Sequence, residues 1–473
     1  MSDLPTQPES KVGRGFLALA SGDGLARVIA FAAGVWVARE LSPGAFGVVT
    51  FSTGLLLYFS NIVECGIDLV GVRQIAQDQP SMRRMAPALI GVRLALALGL
   101  ALCIALLSRW LLPEPEASVF SVYGLSLIVA ALSTRWIHLG LERTRAVAIA
   151  RTLGEAVFLV LVMLTVHRYQ DLVLVPVAQI AGDVLAALIL WVGISRLNWK
   201  LSPRFSLAEA KPVLARSWPL VANVLLGLTI YNSDLIFLRI FKGREDVGLY
   251  SAAYQLISFL INMAAAYSLT LLPILTRAAI SAEGRDRLYQ RALGQTFSVA
   301  LPIAVGGALI ATQIIETVFR AEYAPAIPAL AVLVCTLPFT VAKEVDLIAL
   351  VVAGRERTIM RMTAAAVVVN LALNLLLIPT WGMLGAAWST LVTEALRAVF
   401  ARWCSRRAGY PRALLPAFAR AAIAAAAMGL ALWFLPDLPL AAALALGVAV
   451  YGAALTLVGG IELRHGSWPH LRG

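Results

Sequence analysis

The chain is divided into hydrophobic segments of about 20 residues, and this division constrains its fold more than any other feature. A helix rises about 1.5 Å per residue, so a segment of that length crosses the roughly 30 Å of hydrocarbon in a bilayer. Charged residues form only 14% of the sequence, against about 25% in soluble domains. The pattern predicts an all-α integral membrane protein with about 14 transmembrane helices, at 15–38, 45–72, 86–112, 117–140, 146–168, 171–195, 217–241, 248–275, 292–319, 326–353, 358–379, 383–403, 416–435 and 439–461.

The net charge of +12 is distributed unevenly between alternate loops. With the N-terminus in the cytoplasm, 27 Lys and Arg residues fall in cytoplasmic loops and 7 in loops on the opposite side. This excess is the positive-inside pattern, and it predicts that both termini are cytoplasmic. It accounts for the basic composition without nucleic acid, which is not an expected partner. The first segment carries Asp23 and Arg27 and lacks a small-residue cleavage site, so we interpret it as a membrane helix and not as a signal peptide.

Five basic residues are interpreted as embedded in the predicted spans: Arg27, Arg93, Arg135, Lys343 and Arg397. Basic residues at a predicted boundary are counted with the adjoining loop, and Arg151 is counted with a cytoplasmic loop in this way. A charge at the centre of a bilayer costs about 2.5–3.5 kcal/mol on insertion scales. Such residues therefore face a protein interior or a water-filled cavity, where they meet a counter-ion or an anion. Their presence indicates a transporter that handles a negatively charged substrate.

Three of these cations lie near a predicted cytoplasmic end, where long side chains can extend to the interface. These are Arg93, Arg135 and Arg397, and Glu394 precedes Arg397 by three residues on the same helix face. A structural role is favoured for all three. Arg135 stays a candidate for substrate binding because Trp136 adjoins it.

The other two cations, Arg27 and Lys343, lie nearer the middle of their spans. Asp23 lies four residues before Arg27 and Asp346 three residues after Lys343, so helical ion pairs offer a structural explanation for both. A buried ion pair is an expensive way to pack helices, and binding of an anion is the alternative. We predict Arg27, Lys343 and Arg135 as substrate-binding residues.

The sequence repeats itself weakly. Residues 140–145 are similar to 354–359, and 45–49 correspond loosely to 246–250. Both spacings imply that spans one to six correspond to spans seven to twelve, in parallel orientation. Parallel repeats place a substrate site between the halves near the midplane and open it to one side at a time. The predicted organisation is a cytoplasmic tail at 1–14, a six-helix bundle at 15–195, a basic cytoplasmic linker at 196–216, a second six-helix bundle at 217–403 and two additional helices within 416–461.

Several motifs resemble those of the polysaccharide-biosynthesis flippases, the O-antigen (Wzx-type) transporters. The turn at 38–47 reads Ala-Arg-Glu-Leu-Ser-Pro-Gly-Ala-Phe-Gly, and Asp234 precedes a Val-Gly-Leu-Tyr stretch at 247–250. Most specific is the stretch 370–387, which contains Asn370, Asn374, Leu-Ile-Pro and Gly-Ala-Ala in the spacing common in this group. The resemblance covers roughly residues 12–405.

The resemblance implies the fold of the multidrug/oligosaccharidyl-lipid/polysaccharide exporter superfamily. The implied substrate is a polyprenyl-diphosphate-linked oligosaccharide, moved from the cytoplasmic to the outer leaflet of the bacterial inner membrane for O-antigen, lipopolysaccharide or exopolysaccharide synthesis. Hydrocarbon would reject the diphosphate and the sugars, so a hydrated cavity with fixed positive charge is required. Membrane lipids, a polysaccharide polymerase and chain-length machinery are the expected partners.

Four acids are candidates for ion coupling or for neutralising nearby cations: Asp23, Glu64, Asp68 and Asp234. Glu64 and Asp68 are expected to share one face of span two. By resemblance, spans one, two, seven and eight line the cavity. Asn370 and Asn374, four residues apart, are expected to hydrogen-bond between helices.

Enzymatic function, a cofactor and a metal are not expected. The four cysteines lie in separate spans without metal-ligand spacing, and Walker A and His-Glu-x-x-His patterns are absent from the sequence. The alternatives within the superfamily are a lipid II-type flippase and a drug or cation antiporter. A membrane polysaccharide polymerase is a further alternative, but the predicted outer loops are too short for a catalytic domain. A scaffold role has no sequence feature in its favour.

Overall fold

The structure of the protein is a computed structural model that describes residues 9–197, 199, 201–411, 415–459, 461–462 and 470–471. Most of the predicted tail 1–14 lies outside these residues. The described chain forms 17 helices: α1 (Glu9–Glu40), α2 (Pro43–Glu64), α3 (Ile67–Gln77), α4 (Gln79–Leu111), α5 (Glu116–Leu132), α6 (Arg135–Gly140), α7 (Thr144–Thr165), α8 (Leu174–Ser195), α9 (Leu207–Phe241), α10 (Arg244–Ala278), α11 (Ala282–Leu309), α12 (Ala311–Val318), α13 (Ile327–Val334), α14 (Leu337–Val352), α15 (Glu356–Arg407), α16 (Leu415–Trp433) and α17 (Leu440–Leu457).

Short elements complete the described chain. Two 3₁₀ turns, Tyr169–Val173 and Ala321–Ala326, lead into α8 and α13. Near the C-terminus, β1 (Ile461–Glu462) and β2 (His470–Leu471) form an antiparallel pair of two-residue strands. The predicted all-α class is confirmed.

Within the described residues, 11 helices are long and apolar enough to cross a membrane. The chain is therefore a multi-pass membrane protein, whereas the number of 14 spans stays a prediction. The helix α15 has 52 residues, which at about 1.5 Å per residue is more than twice the thickness of the hydrocarbon. Its backbone leaves the helical conformation at Gly382, with φ 57° and ψ −134°, so α15 consists of two helical halves joined there.

The chain divides into two compact units, Met1–Asn232 and Ser233–Gly473. In the first unit, α7 packs on both α1 and α8, and α5 packs on α2, α4 and α8. In the second unit, α14 packs on α10, α11 and α15, and α16 packs on α11 and α17. The helix α9 begins at Leu207, inside the predicted linker 196–216. The predicted domain boundaries stay predictions.

Two predicted spans of the first unit are broken helices. The left-handed residues Cys65 (φ 54°) and Gly66 (φ 65°) separate α2 from α3. Ser133 and Thr134 separate α5 from α6, and α6 packs on α3. Each break releases backbone groups from the helical ladder and interrupts the helix axis.

Candidate functional site

The first unit contains a cavity of about 590 Å³ between α2, α5, α7 and α8. Its apolar wall is formed by leucine, valine, alanine and aromatic side chains. Its polar lining comes from all four of these helices and from the start of α6, and comprises Thr53, Ser60, Glu64, Tyr123, Ser126, Ser133, Arg135, Arg151, Glu155, Gln179 and Asp183. A polar cavity of this kind inside membrane-spanning helices is suited to a hydrated or charged ligand.

The two helix breaks supply two of the charges in this cavity. Glu64 is the last residue of α2, and Arg135 is the first residue of α6. Asp68, in the first turn of α3, lies 3.6 Å from the Arg135 guanidinium. Glu64 and Asp68 were expected on one face of one continuous span, and this is wrong because the chain leaves the helical conformation at Cys65 between them.

The helix α7 supplies a second cation and a second acid. Arg151 and Glu155 are four residues apart, so they project from the same face of α7 into the cavity. Arg151 also donates to the Asp23 carboxylate of α1, with 2.6 Å between Nη1 and Oδ1. Asp23 lies 3.5 Å from Arg27 as well, which is the predicted helical pair.

Asp183 of α8 is positioned by a close approach of two backbones. Gly154 of α7 and Gly182 of α8 face each other, and a Cβ added to Gly154 would lie 2.8 Å from the Gly182 carbonyl oxygen. Only glycine allows this contact, because any side chain would separate the helices. The next residues, Glu155 and Asp183, consequently line the same part of the cavity.

The predicted binding residues have different positions. Arg135 lines the cavity, and Arg27 reaches it indirectly, through the Asp23 carboxylate shared with Arg151. Lys343 belongs to the second unit and has only 1% of its side chain exposed. Its ammonium lies 2.7 Å from Glu394 and 3.6 Å from Glu344.

The expected pairing of Lys343 with Asp346 is wrong. Glu394, the carboxylate nearest to Lys343, also accepts from Thr340 Oγ1 at 3.0 Å and from Arg397. The predicted Arg397–Glu394 pair is thereby confirmed. Asp346 instead accepts hydrogen bonds from Tyr289 and Arg402. Pairing across different helices brings these charges together, which spacing within one helix could not show.

Arg93 has a structural role, but it does not extend to the interface. Its side chain is 1% exposed, and its guanidinium donates to three carbonyl oxygens: Val63 at 3.3 Å, Ser133 at 3.3 Å and Ala130 at 2.7 Å. These carbonyls lie at the ends of α2 and α5, where helical N–H donors become scarce; Ala130 also accepts from the Ser133 N–H at 3.1 Å. Arg93 therefore satisfies the broken helix ends on which Glu64 and Arg135 depend.

Asp234 belongs to a buried hydrogen-bond network in the second unit. Its carboxylate accepts from Tyr250 Oη at 2.6 Å, from Thr390 Oγ1 at 2.9 Å and from the Asn374 amide. Asn370 accepts from Ser233 Oγ at 2.9 Å. The two asparagines join α9 to α15, so the expectation that they bond between helices is confirmed.

Sequence reasoning missed Arg151, and it left Glu155 and Asp183 without a position. Arg151 was assigned to a cytoplasmic loop, although it lies within α7. The signal available in the sequence was the spacing of Arg151 and Glu155, four residues apart beside Gly154. That spacing places two opposite charges and a small residue on neighbouring faces of one membrane helix, which is typical of a helix that lines a polar interior.

Solved structures of membrane transporters share this fold. The lipid II flippase MurJ, in an inward closed conformation, superimposes with a TM-score of 0.77 at 12% identity, covering 93% of this chain and 98% of that chain. A multidrug resistance MATE family transporter of the MOP superfamily, in an inward-facing conformation, gives a TM-score of 0.65 at 16% identity, covering 81% and 94%. The fold that the resemblance implied is confirmed.

Two curated relatives carry the name "Putative O-antigen transporter". The protein of Shigella dysenteriae is 25% identical over 223 residues, which are 46% of this chain and 56% of the relative. The protein of Escherichia coli (strain K12) is 21% identical over 223 residues, 46% of this chain and 54% of the relative. The chain thus spans about half the length of these relatives.

A family model described as polysaccharide biosynthesis protein matches residues 12–279, more than half of the chain. The match includes the whole candidate cavity and the turn at 38–47 that first suggested the resemblance. The chain therefore belongs to the polysaccharide biosynthesis protein family.

Proposed function

We propose that this protein is a flippase that carries polyprenyl-diphosphate-linked oligosaccharides from the cytoplasmic to the outer leaflet of the bacterial inner membrane by alternating access. The observation that carries the proposal is the polar cavity of the first unit, with Arg135 and Arg151 among its lining residues. Fixed cations in such a cavity offset the loss of hydration of a diphosphate. Family membership and the relatives named as O-antigen transporters support the same substrate class.

In this proposal, Arg135 and Arg151 contact the diphosphate, and serine, threonine and glutamine side chains contact the sugars. Arg27 contributes to the same positive charge as Arg151, because the guanidinium groups of both residues lie beside the Asp23 carboxylate. Lys343 stabilises the second unit and does not contact substrate, because Glu394 binds its ammonium. A polymerase and chain-length machinery would consume the product, and both termini face the cytoplasm.

The direct test is translocation of a fluorescent polyprenyl-diphosphate oligosaccharide in proteoliposomes. Arg135→Gln should slow translocation about tenfold or more, because a charge-assisted hydrogen bond contributes roughly 1.5–3 kcal/mol. Arg145→Gln is the matched control, since Arg145 is exposed at the start of α7 and does not line the cavity. Unchanged translocation by Arg135→Gln, with equal amounts of folded protein, would contradict the proposal.

A drug or cation antiporter is the second candidate, and the three acids of the cavity favour it. Glu64, Glu155 and Asp183 outnumber the two arginines, and acids suit a cationic ligand. The same proteoliposomes distinguish the two functions. The antiporter would be favoured if uptake of a cationic dye were unchanged in Arg135→Gln but lost in Asp183→Asn. Transport of lipid II in preference to the oligosaccharide would identify the lipid II-type alternative.

A further inference from the structure

The second unit has a small cationic pocket at one end of its helices. The pocket measures about 290 Å³ and lies between the C-terminal end of α14 and both ends of α15. Its eight lining residues include three arginines and no acid: Leu350, Arg355, Thr358, Arg361, Phe400, Trp403, Cys404 and Arg407. The larger cavity of the first unit differs, because acids there accompany the arginines.

The three arginines come from two places in the chain. Arg355 precedes α15 and Arg361 lies in its second turn, whereas Arg407 is its last residue. All three are exposed. Thr358, in the first turn of α15, adds a hydroxyl group to the lining. Three guanidinium groups beside a hydroxyl, without an acid among the lining residues, are suited to a phosphate group.

Aromatic residues border the pocket on the helix surface. Trp403 and Phe400 are 44% and 45% exposed, and their rings stack with centroids 5.3 Å apart. The Arg407 guanidinium lies over the Trp403 ring, 3.8 Å from its centroid. Exposed tryptophan beside arginine is typical of the membrane–water interface.

The exposed surface continues along α15 as an apolar stripe. Leu396, Phe400, Trp403 and Arg407 follow one another at intervals of four, three and four residues, so they share one helix face. Leu396 is 51% exposed and Val399, beside this stripe, is 66% exposed. A ligand that fits both features has an anionic phosphate head and hydrocarbon chains.

We propose that this pocket binds the phosphate of an anionic phospholipid, whose acyl chains lie along Leu396, Val399 and Phe400. These arginines lie at the two ends of α15, which the positive-inside pattern assigns to the cytoplasmic leaflet. The site is separate from the transport cavity, and the inference does not depend on which substrate is transported.

The test compares two double variants of the full-length protein. Arg361→Gln with Arg407→Gln removes two charges from the pocket. Arg357→Gln with Arg406→Gln removes two exposed charges from the same helix ends, and neither of those residues lines the pocket. Phosphatidylglycerol bound to each protein is counted by native mass spectrometry from nanodiscs that contain phosphatidylglycerol and phosphatidylcholine.

The pocket variant should bind phosphatidylglycerol roughly tenfold or more weakly than the native protein, while the control variant should bind within about twofold. Trp403→Ala should also weaken lipid binding. Equal losses in both double variants would indicate only a diffuse surface potential and overturn the proposal. Equal binding of phosphatidylcholine, or displacement of the lipid by inorganic phosphate at matched concentration, would overturn the assignment to an anionic phospholipid.

Discussion

Arg151 of α7 donates to the carboxylate of Asp23 in α1 at 2.6 Å, although 128 residues separate them. The two side chains are 36% and 32% exposed, so the pair is partly solvated. Arg151 also lines the cavity, so its guanidinium lies between a carboxylate and the space in which we propose that the substrate binds. A substrate anion that binds Arg151 has to compete with Asp23.

Asp23→Asn should consequently tighten the binding of a diphosphate. A partly exposed ion pair contributes about 0.2–1 kcal/mol, so the dissociation constant should fall by a factor of roughly 1.4 to 5. Isothermal titration of the purified protein with a short polyprenyl diphosphate measures this change. Asp437→Asn, an exposed acid between α16 and α17, is the control and should have no effect. Weaker binding in Asp23→Asn would show that Asp23 positions the arginines instead of competing with the ligand.

Lys343→Met should destabilise the second unit, because it removes one partner of a buried pair and leaves Glu394 with Arg397 and the Thr340 hydroxyl. The loss is about 3–5 kcal/mol for pairs of this kind, and adding Glu394→Gln should restore part of it. Thermal unfolding in detergent gives both values. If Lys343→Met has the same unfolding temperature as the native protein but fails to translocate substrate, Lys343 contacts the ligand and its structural assignment is wrong.

Arg93→Lys should fail to replace Arg93, because an ammonium cannot present the planar fork that reaches the Val63, Ala130 and Ser133 carbonyl oxygens together. Each buried carbonyl left without a donor costs about 1–3 kcal/mol. Both Arg93→Lys and Arg93→Met should therefore lower the yield and unfolding temperature of the protein. Native stability in Arg93→Lys would mean that one donor is sufficient at this junction.

Gly382→Ala should destabilise the protein by about 1–3 kcal/mol, because the backbone at φ 57° and ψ −134° is open essentially only to glycine. Gly99→Ala in α4 is the opposite control. A Cβ at Gly99 meets nothing within 4 Å, and alanine in a helix interior is favoured over glycine by about 1 kcal/mol. Thermal unfolding of the two variants should therefore move in opposite directions. A shift of the same sign in both would show that Gly382 tolerates a side chain.

Hydropathy predicted the helices well, since a membrane helix must satisfy every backbone group within itself and must present about 20 apolar residues to lipid. It did not predict the breaks at Cys65–Gly66 and Ser133–Thr134, because a break changes the direction of the backbone without changing its hydrophobicity. These breaks determine where Glu64 and Arg135 lie.

The charges in the membrane were recognisable from sequence, but most of their partners were not. Spacing within one helix found the pairs Asp23–Arg27 and Glu394–Arg397. The same kind of spacing offered Asp346 as the ion-pair partner of Lys343. The carboxylate nearest to Lys343 is instead that of Glu394, which is 51 residues away in sequence. Long-range pairs depend on how helices pack, and a single sequence does not contain that information.

The contact of Gly154 with Gly182 has a mechanical consequence for the cavity. At the point where the two backbones touch, no side chain separates the helices, so we expect α7 and α8 to move together as one rigid body. The opposite wall is built from α2 and α5, each of which ends at a break in the chain. One wall of the cavity is therefore rigid, whereas the opposite wall ends at two breaks in the helices. We expect any change in the width of the cavity to occur by movement at these breaks, which lie next to Glu64 and Arg135.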